Sequence, residues 1–300
     1  MAPRNPPISP HPAEGPPWDV PIEQAPLAIV DVETTGLDPR RHGICEIAIQ
    51  RARGCGRVVD DELVSFVRTA SPVGTSIRFH GIDDRTLEDA PALSDLAPRI
   101  DALFAGAIPV GHRVEVDLSF LGAAATRGEI AAPPPFALDT LTLARRAFNR
   151  PSYALEELAR ALSLPLASHR ARADVIATRA LLERVCEQLR PRTARHLWQV
   201  RVGERRASMR DDVRAALEAA FAANVRVRVC YRVPGRNPFV DELAIYALIP
   251  PRVEGWLEQT RVKRVLRGDR ILWAEPTETR YETPSDFRPS LPQVQFSEDP

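Results

Sequence analysis

Lysine is almost missing from this chain: Lys263 is the one lysine in 300 residues, so 39 of the 40 basic side chains are arginine. Codon usage in a GC-rich genome accounts for such a bias, but arginine also grips phosphate bidentately. Net charge is missing as well, since 40 acidic residues offset the 40 basic ones, and that excludes a polybasic nucleic-acid coat. No apolar run approaches the ~20 residues of a membrane span. The N-terminal Met1-Ala2-Pro3-Arg4 runs into prolines rather than a signal-type apolar stretch, so a cytoplasmic protein with no membrane partner is expected. The four cysteines, Cys45, Cys55, Cys186 and Cys230, form no C-x-x-C pair, which argues against a zinc knuckle or a disulfide framework. What remains, 44% hydrophobic and 27% charged, is the composition of a soluble globular protein.

Proline divides the chain. Residues 1–26 carry nine prolines, each removing an amide donor and fixing φ, so they read as a disordered leader. Residues 27–190 open strand-rich, with candidates at Leu27–Val30, Ile44–Arg51 and Leu63–Val67. Helical spacing then dominates: Leu93–Phe104, Val116–Thr126, Leu138–Phe148, Leu155–Leu162 and Ala173–Leu189, with a short buried strand at Ala107–Val110. Strands first and helices later predict an α/β fold, a mixed sheet flanked by helices. An Arg-rich linker is expected over 191–207, a helix-plus-strand module over 208–288, and a tail over 289–300.

Chemistry concentrates at acids near predicted strand ends. Asp31 and Glu33 stand two apart on an extended chain and so share a face. Two like charges leaving an apolar strand are costly to keep ionised, and a divalent cation would resolve the conflict. Asp117 follows a strand end in Gly111–Leu121, where open α/β sheets collect site residues. His169 precedes Asp174 by five residues, which places His169 in a loop and Asp174 in the first turn of a helix, both free to face one pocket.

In this order the segments DVETTGL (31–37), GHRVEVDLSFL (111–121) and HRARAD (169–174) resemble the three motifs of the DnaQ-like 3′→5′ exonucleases of the DEDDh type. Between them, His80-Gly81-Ile82 with Ala90-Pro91, and Leu138–Leu141 with Tyr153-Ala154-Leu155, match intervening landmarks, so the resemblance covers 27–190. It implies an RNase H-like fold, with Asp31, Glu33, Asp117 and Asp174 as carboxylates for two Mg²⁺ or Mn²⁺ ions and His169 as general base. It also implies that Thr34 and Leu37 touch the terminal nucleotide and that His80 lines the same pocket. Motif II departs from the family's usual H-N-A-x-F-D: Arg113 replaces the asparagine and is expected to grip a phosphate instead.

Residues 191–236 hold 11 arginines against four acids, a local excess of +7 that the neutral total conceals. A helix from about Met209 to Ala223, N-capped by Ser208, leads into the alternating Val225–Arg232, with Arg226, Arg228 and Arg232 on one face. Further strands are expected at Leu243–Ile249 and Arg270–Ala274, giving a small helix and β-barrel-like module. Gly255-Trp256-Leu257 and GDRILWAEPT are similar to a divergent WYL domain, lacking its tyrosine, which implies nucleic-acid or nucleotide binding. The combined expectation is a metal-dependent 3′→5′ exonuclease acting on 3′ ends of single-stranded or frayed DNA and releasing nucleoside monophosphates. RNA or short oligonucleotides are the same-class alternative; an idle nuclease fold serving as a sensor is the alternative of another class. A separate polymerase or repair complex is an open partner.

Overall fold

The computed structural model describes residues 11–202, 209–233 and 236–290. They divide into two compact units: the first comprises the chain through Arg146 with Arg150–Glu187 and Arg192–Trp198, the second Ala147–Asn149, Gln188–Pro191 and the chain from Gln199 onward.

In the first unit β1 (Leu27–Thr34), β2 (Ile44–Arg53) and β3 (Val58–Phe66) form an antiparallel meander. The short helices α1 (Ile77–His80) and α2 (Asp84–Leu87) and the longer α3 (Leu93–Phe104) follow. Next come β4 (Ile108–Gly111), α4 (Glu115–Thr126), β5 (Leu138–Asp139) and α5 (Thr140–Ala147). Helices α6 (Leu155–Ala161), α7 (Ala171–Leu189) and α8 (Ala194–Val202) complete the run. The sheet order is β3-β2-β1-β4-β5, with β4 parallel to β1 and to β5, so the expected mixed sheet flanked by helices is present. The region expected as one helix over Leu138–Phe148 gives its first two residues to a sheet-edge strand before the helix begins.

The pleat decides where the acids go. Ala28, Val30, Ile47 and Ile49 pack into a core with Ile100, Leu103 and Leu121 of α3 and α4. Since successive side chains alternate, Asp31 and Glu33 turn to the opposite face, and the register sets Glu46 of β2 directly across from Glu33. That face meets α7, whose Arg170-side entry and Arg179 bond to Glu46 and Gln50.

Residues 11–26 depart from the expectation of a disordered leader; residues 1–10 lie outside the described residues. Trp18, Ile22 and Ala25 are buried, the Ile22 amide donates to the Arg192 carbonyl at 2.8 Å, and Pro21 bridges Thr193. Arg195 fastens the segment, donating to the Asp19 carboxylate and to the Pro12 and Ala13 carbonyls. Apolar residues spaced among the prolines outweigh the lost donors. The expected linker is likewise helical through Val202, with 203–208 outside the described residues.

In the second unit α9 (Asp211–Ala223) precedes β6 (Val225–Tyr231), β7 (Phe239–Ile249), β8 (Arg252–Leu257), β9 (Val262–Arg267) and β10 (Ile271–Arg280). These strands make an antiparallel sheet in the order β10-β6-β7-β8-β9, with α9 packed on it through Val213, Leu217 and Ala220. The α9 N-cap position is Arg210, and the expected cap Ser208 lies outside the described residues, as do Pro234 and Gly235 of the expected turn and 291–300 of the tail. The arginines of β6 are engaged by acids: Arg226 pairs with Glu258 at 2.9 Å, and Arg228 pairs with Glu275 at 2.9 Å while facing Trp273. Among the described residues, no helix is long and apolar enough to cross a membrane.

Candidate active site

Strand β1 delivers Asp31 and Glu33 to the α7 face, and the first turn of α7 delivers Asp174. One carboxylate oxygen from each of these three lies within 4.8 Å of the others. Asp117, in the first turn of α4, is 5% exposed and accepts the Val32 amide at 3.0 Å, so the fourth expected acid is anchored to the strand between the other two.

Such crowding is expensive for anions. Burial, and then repulsion from Asp117, Asp174, Glu33 and Glu46, holds the Asp31 carboxyl well above its ordinary range. Burial with the charges of Asp174, Glu46 and Asp117 pushes Glu33 up to about 8, against the partial relief of Arg170. Burial lifts Asp117 to about 7 despite the Val32 amide, and Asp174 is raised by burial although Ser168 donates its amide at 2.8 Å. Hard oxygen donors whose mutual repulsion a cation would cancel make a fitting set for a divalent metal ion.

His169 sits in the loop before α7 with φ +53°, its side chain half exposed and its Nε2 3.1 Å from Glu156 Oε1. His169, Asp31 and Asp174 line one cleft with Arg113, Arg145, Tyr153 and Glu156. Arg113 is exposed at φ +67°, its amide bound to Asp139 Oδ1 at 2.8 Å, while Arg145 lies 5.9 Å from the Tyr153 ring centre. His112 bridges Thr140 Oγ1 at 3.0 Å and the Tyr153 carbonyl at 2.9 Å, joining α5 to the segment before α6.

The remaining expected residues, Thr34, Leu37 and His80, are not among those that line this cleft. Thr34 is partly buried, its hydroxyl donating to the Gly36 carbonyl at 2.8 Å, and Leu37 is 95% exposed. His80 is buried rather than open to the cleft: its Nδ1 accepts the Ile82 amide at 3.1 Å, and burial holds its imidazole below the ordinary value.

Three residues escape sequence reading. Glu46, 3% exposed, accepts both guanidinium arms of Arg170 at 2.8 and 3.1 Å and the Ala171 amide at 3.0 Å, pinning the start of α7 to the sheet. Glu156 holds His169, and Arg145 brings a second guanidinium to the cleft. Glu46 and Arg170 lie 124 positions apart, so only β1–β2 register could have pointed to them.

The chain is 33% identical over 161 residues to the 3′-5′ exonuclease DinG of Staphylococcus aureus, covering 53% of this chain and 18% of that protein. It is 29% identical over 166 residues to the PolC-type DNA polymerase III of Caldanaerobacter subterraneus subsp. tengcongensis, covering 54% and 12% respectively. The chain thus spans less than a fifth of either relative. Exonuclease I from Methylocaldum szegediense shares the fold with a TM-score of 0.51 at 20% identity, over 77% of this chain and 54% of that one. The RNase T family model, described as an exonuclease, matches residues 28–182, just over half of the sequence, and the chain therefore belongs to the RNase T family of DnaQ-like exonucleases.

Proposed function

We propose that the protein is a metal-dependent 3′→5′ exonuclease that removes nucleoside monophosphates from single-stranded or frayed DNA. The observation that carries this reading is the convergence of Asp31, Glu33 and Asp174 beside Asp117, all four carboxyls held toward protonation chiefly by burial. Two divalent ions, Mg²⁺ or Mn²⁺, held by these four residues would supply neutralising charge and Lewis acidity to the attacking and leaving oxygens of a phosphodiester.

The chain's own groups take the other tasks. His169 is the general base: a half-exposed imidazole in the same cleft, it draws the proton from the attacking water once it turns from Glu156. Arg113 and Arg145 face the phosphate, whose charge four carboxylates and two dications leave unmatched. Leu37, standing clear of the surface, is the wedge against the terminal base, and Thr34 gives it a polar neighbour. His80, hydrogen-bonded to the Thr34 backbone, supports that loop from behind rather than contacting substrate directly. The C-terminal unit is assigned as a WYL-like accessory module; pairing of Arg226 and Arg228 with acids argues that its ligand is not met by that strand face.

The test is degradation of 3′- and 5′-labelled DNA and RNA oligonucleotides with Mg²⁺, Mn²⁺ or EDTA, beside Asp31→Asn. Stepwise loss from the 3′ end, abolished by EDTA and by the substitution, is expected. Digestion that persists in EDTA or in the variant contradicts the reading, and exclusive turnover of RNA corrects its substrate.

A further inference from the structure

A second cavity of about 340 Å³ in the first unit is lined by Arg40, Arg41, Arg68 and Arg127, with Thr69 and Ser71 between them. Glu129 is the one acid in its wall, and it is spent on Arg127, whose Nε and Nη2 donate to it at 2.8 and 3.1 Å. Arg41 reaches Asp38 only at 3.8 Å. Neither the Arg40 nor the Arg68 guanidinium has an acid within ion-pair distance among the described residues. This differs from the arginines of β6, where Arg226 and Arg228 are neutralised in place.

The backbone that carries these arginines is fixed. The Arg68 amide donates to the Pro91 carbonyl at 2.9 Å, and Ser71 Oγ donates to the Arg41 carbonyl at 3.0 Å. Between β1 and β2 the loop is closed by Thr35 and Gly43, whose backbone groups meet at 3.0 Å, with the Gly43 amide also donating to Thr35 Oγ1 at 3.1 Å. Its outgoing limb carries Thr34 and Leu37; its return limb carries Arg40 and Arg41 into the cavity wall. The His42 ring joins the two limbs, so close that a Cβ on Gly36 would stand 2.6 Å from it. One rigid loop therefore presents an apolar tip on one side and a cationic pocket on the other.

We propose that this pocket binds a backbone phosphate of the nucleic acid whose 3′ end occupies the cleft, as a second grip beyond the loop tip. The proposal rests on the nucleic-acid reading above but not on catalysis. A phosphodiester fits the chemistry: two unpaired guanidinium groups offer planar forks, and the Thr69 hydroxyl, which accepts the Ser71 amide, keeps its own proton to donate. The phosphate belongs either to the strand being shortened or to a strand paired with it, and two substrates separate these sources.

The experiment measures binding by fluorescence anisotropy in EDTA, where no hydrolysis occurs, using a single-stranded DNA of about a dozen nucleotides and a hairpin ending in a short 3′ overhang. The variants are Arg40→Ala, Arg68→Ala and the pair together, with melting temperatures compared to wild type to show that these exposed side chains leave folding intact. Roughly tenfold weaker binding is expected of the double variant, with its salt slope on single strands lower by about 1.4, two contacts at about 0.7 each. Arg40→Lys should restore part of the loss. A deficit on both substrates assigns the phosphate to the degraded strand, and a deficit on the hairpin alone assigns it to the paired strand. Turnover of a dinucleotide, whose one phosphodiester is the bond cleaved, should be unchanged. If wild type fails to shorten the labelled oligonucleotides in Mg²⁺ or Mn²⁺ while the binding deficit remains, the pocket stands and the exonuclease reading falls. Equal affinity and equal salt slope in wild type and double variant on both substrates overturn the pocket.

Discussion

Each unit buries acids, and it treats them in opposite ways. In the second unit Asp241 and Glu254 are fully buried, and each is met by donors. Asp241 accepts the amides of Glu242, Gln259 and Thr260 and the Thr260 hydroxyl; Glu254 accepts the amide and hydroxyl of Ser290, with Lys263 at 3.5 Å. In the first unit Asp31 and Glu33 gather near Asp174 and Asp117, and what surrounds them is mainly other carboxylates. Satisfied buried acids tie loops together, whereas acids crowded against acids destabilise the fold that holds them. A cluster of the second kind is retained for what it binds.

The largest expected effect separates the two kinds directly. Asp31→Asn should reduce hydrolysis to background while raising the melting temperature of the metal-free protein, because it removes the cost of holding un-ionised a buried carboxyl that the unfolded chain ionises freely. Asp241→Ala should do the reverse, leaving turnover per folded molecule intact and lowering stability by about 3 kcal/mol as the Gln259 and Thr260 amides lose their acceptor. Calorimetric melting alongside a nuclease assay reads both, and a fall in melting temperature for Asp31→Asn would erase the contrast.

Next in size is His169→Ala, expected to lower kcat by roughly 10²- to 10⁴-fold with little change in stability, as suits a general base on a half-exposed loop. Glu46 lies between the two kinds, buried but clamped by Arg170, so Glu46→Gln should cost roughly 10- to 100-fold in activity through a loosened α7 entry. Metal titration of that variant should show weaker binding, and unaltered metal affinity would move Glu46 out of the supporting role.

The smallest effect is a pH slope. Glu33 titrates near 8 in the folded chain and near its ordinary 4.5 when unfolded. Between those values the native state holds a proton that the unfolded state has released, so metal-free stability falls as pH rises through that window. Below about pH 4.5 both states are protonated and the penalty vanishes. Glu33→Gln should flatten the slope in melting experiments from pH 5 to pH 8, and excess Mg²⁺ should flatten it too by displacing the native state's proton.

The same contrast explains what the amino-acid order could reveal. Asp31, Glu33, Asp117, His169 and Asp174 sit in short local patterns at strand ends and a helix start, where spacing alone fixes the face, and the structure brings the acids together. Glu46 reads locally as a polar residue in an apolar strand, and its meaning comes from pairing with Glu33 and from Arg170 far along the chain. His80 looked like a pocket residue, but a nearby amide and burial turn it inward. The arginines of Val225–Arg232 alternated as a phosphate-facing strand should, yet Glu258 and Glu275 arrive from β8–β9 and β10 to neutralise them. Prolines in 11–26 pointed to disorder, while the anchoring groups lie near Arg192–Arg195. In each case the local pattern was legible and the distant partner was not.

On the proposed function the crowded acids of the first unit are a cation site kept protonated until it is filled. Calorimetric titration of Mn²⁺ at pH 7, repeated in buffers of different ionisation enthalpy, tests it most directly. Saturable binding that releases protons as Glu33 and Asp117 ionise is expected, and loss of that binding in Asp31→Asn. Absence of binding, binding without proton release, or equal binding by the variant would contradict it.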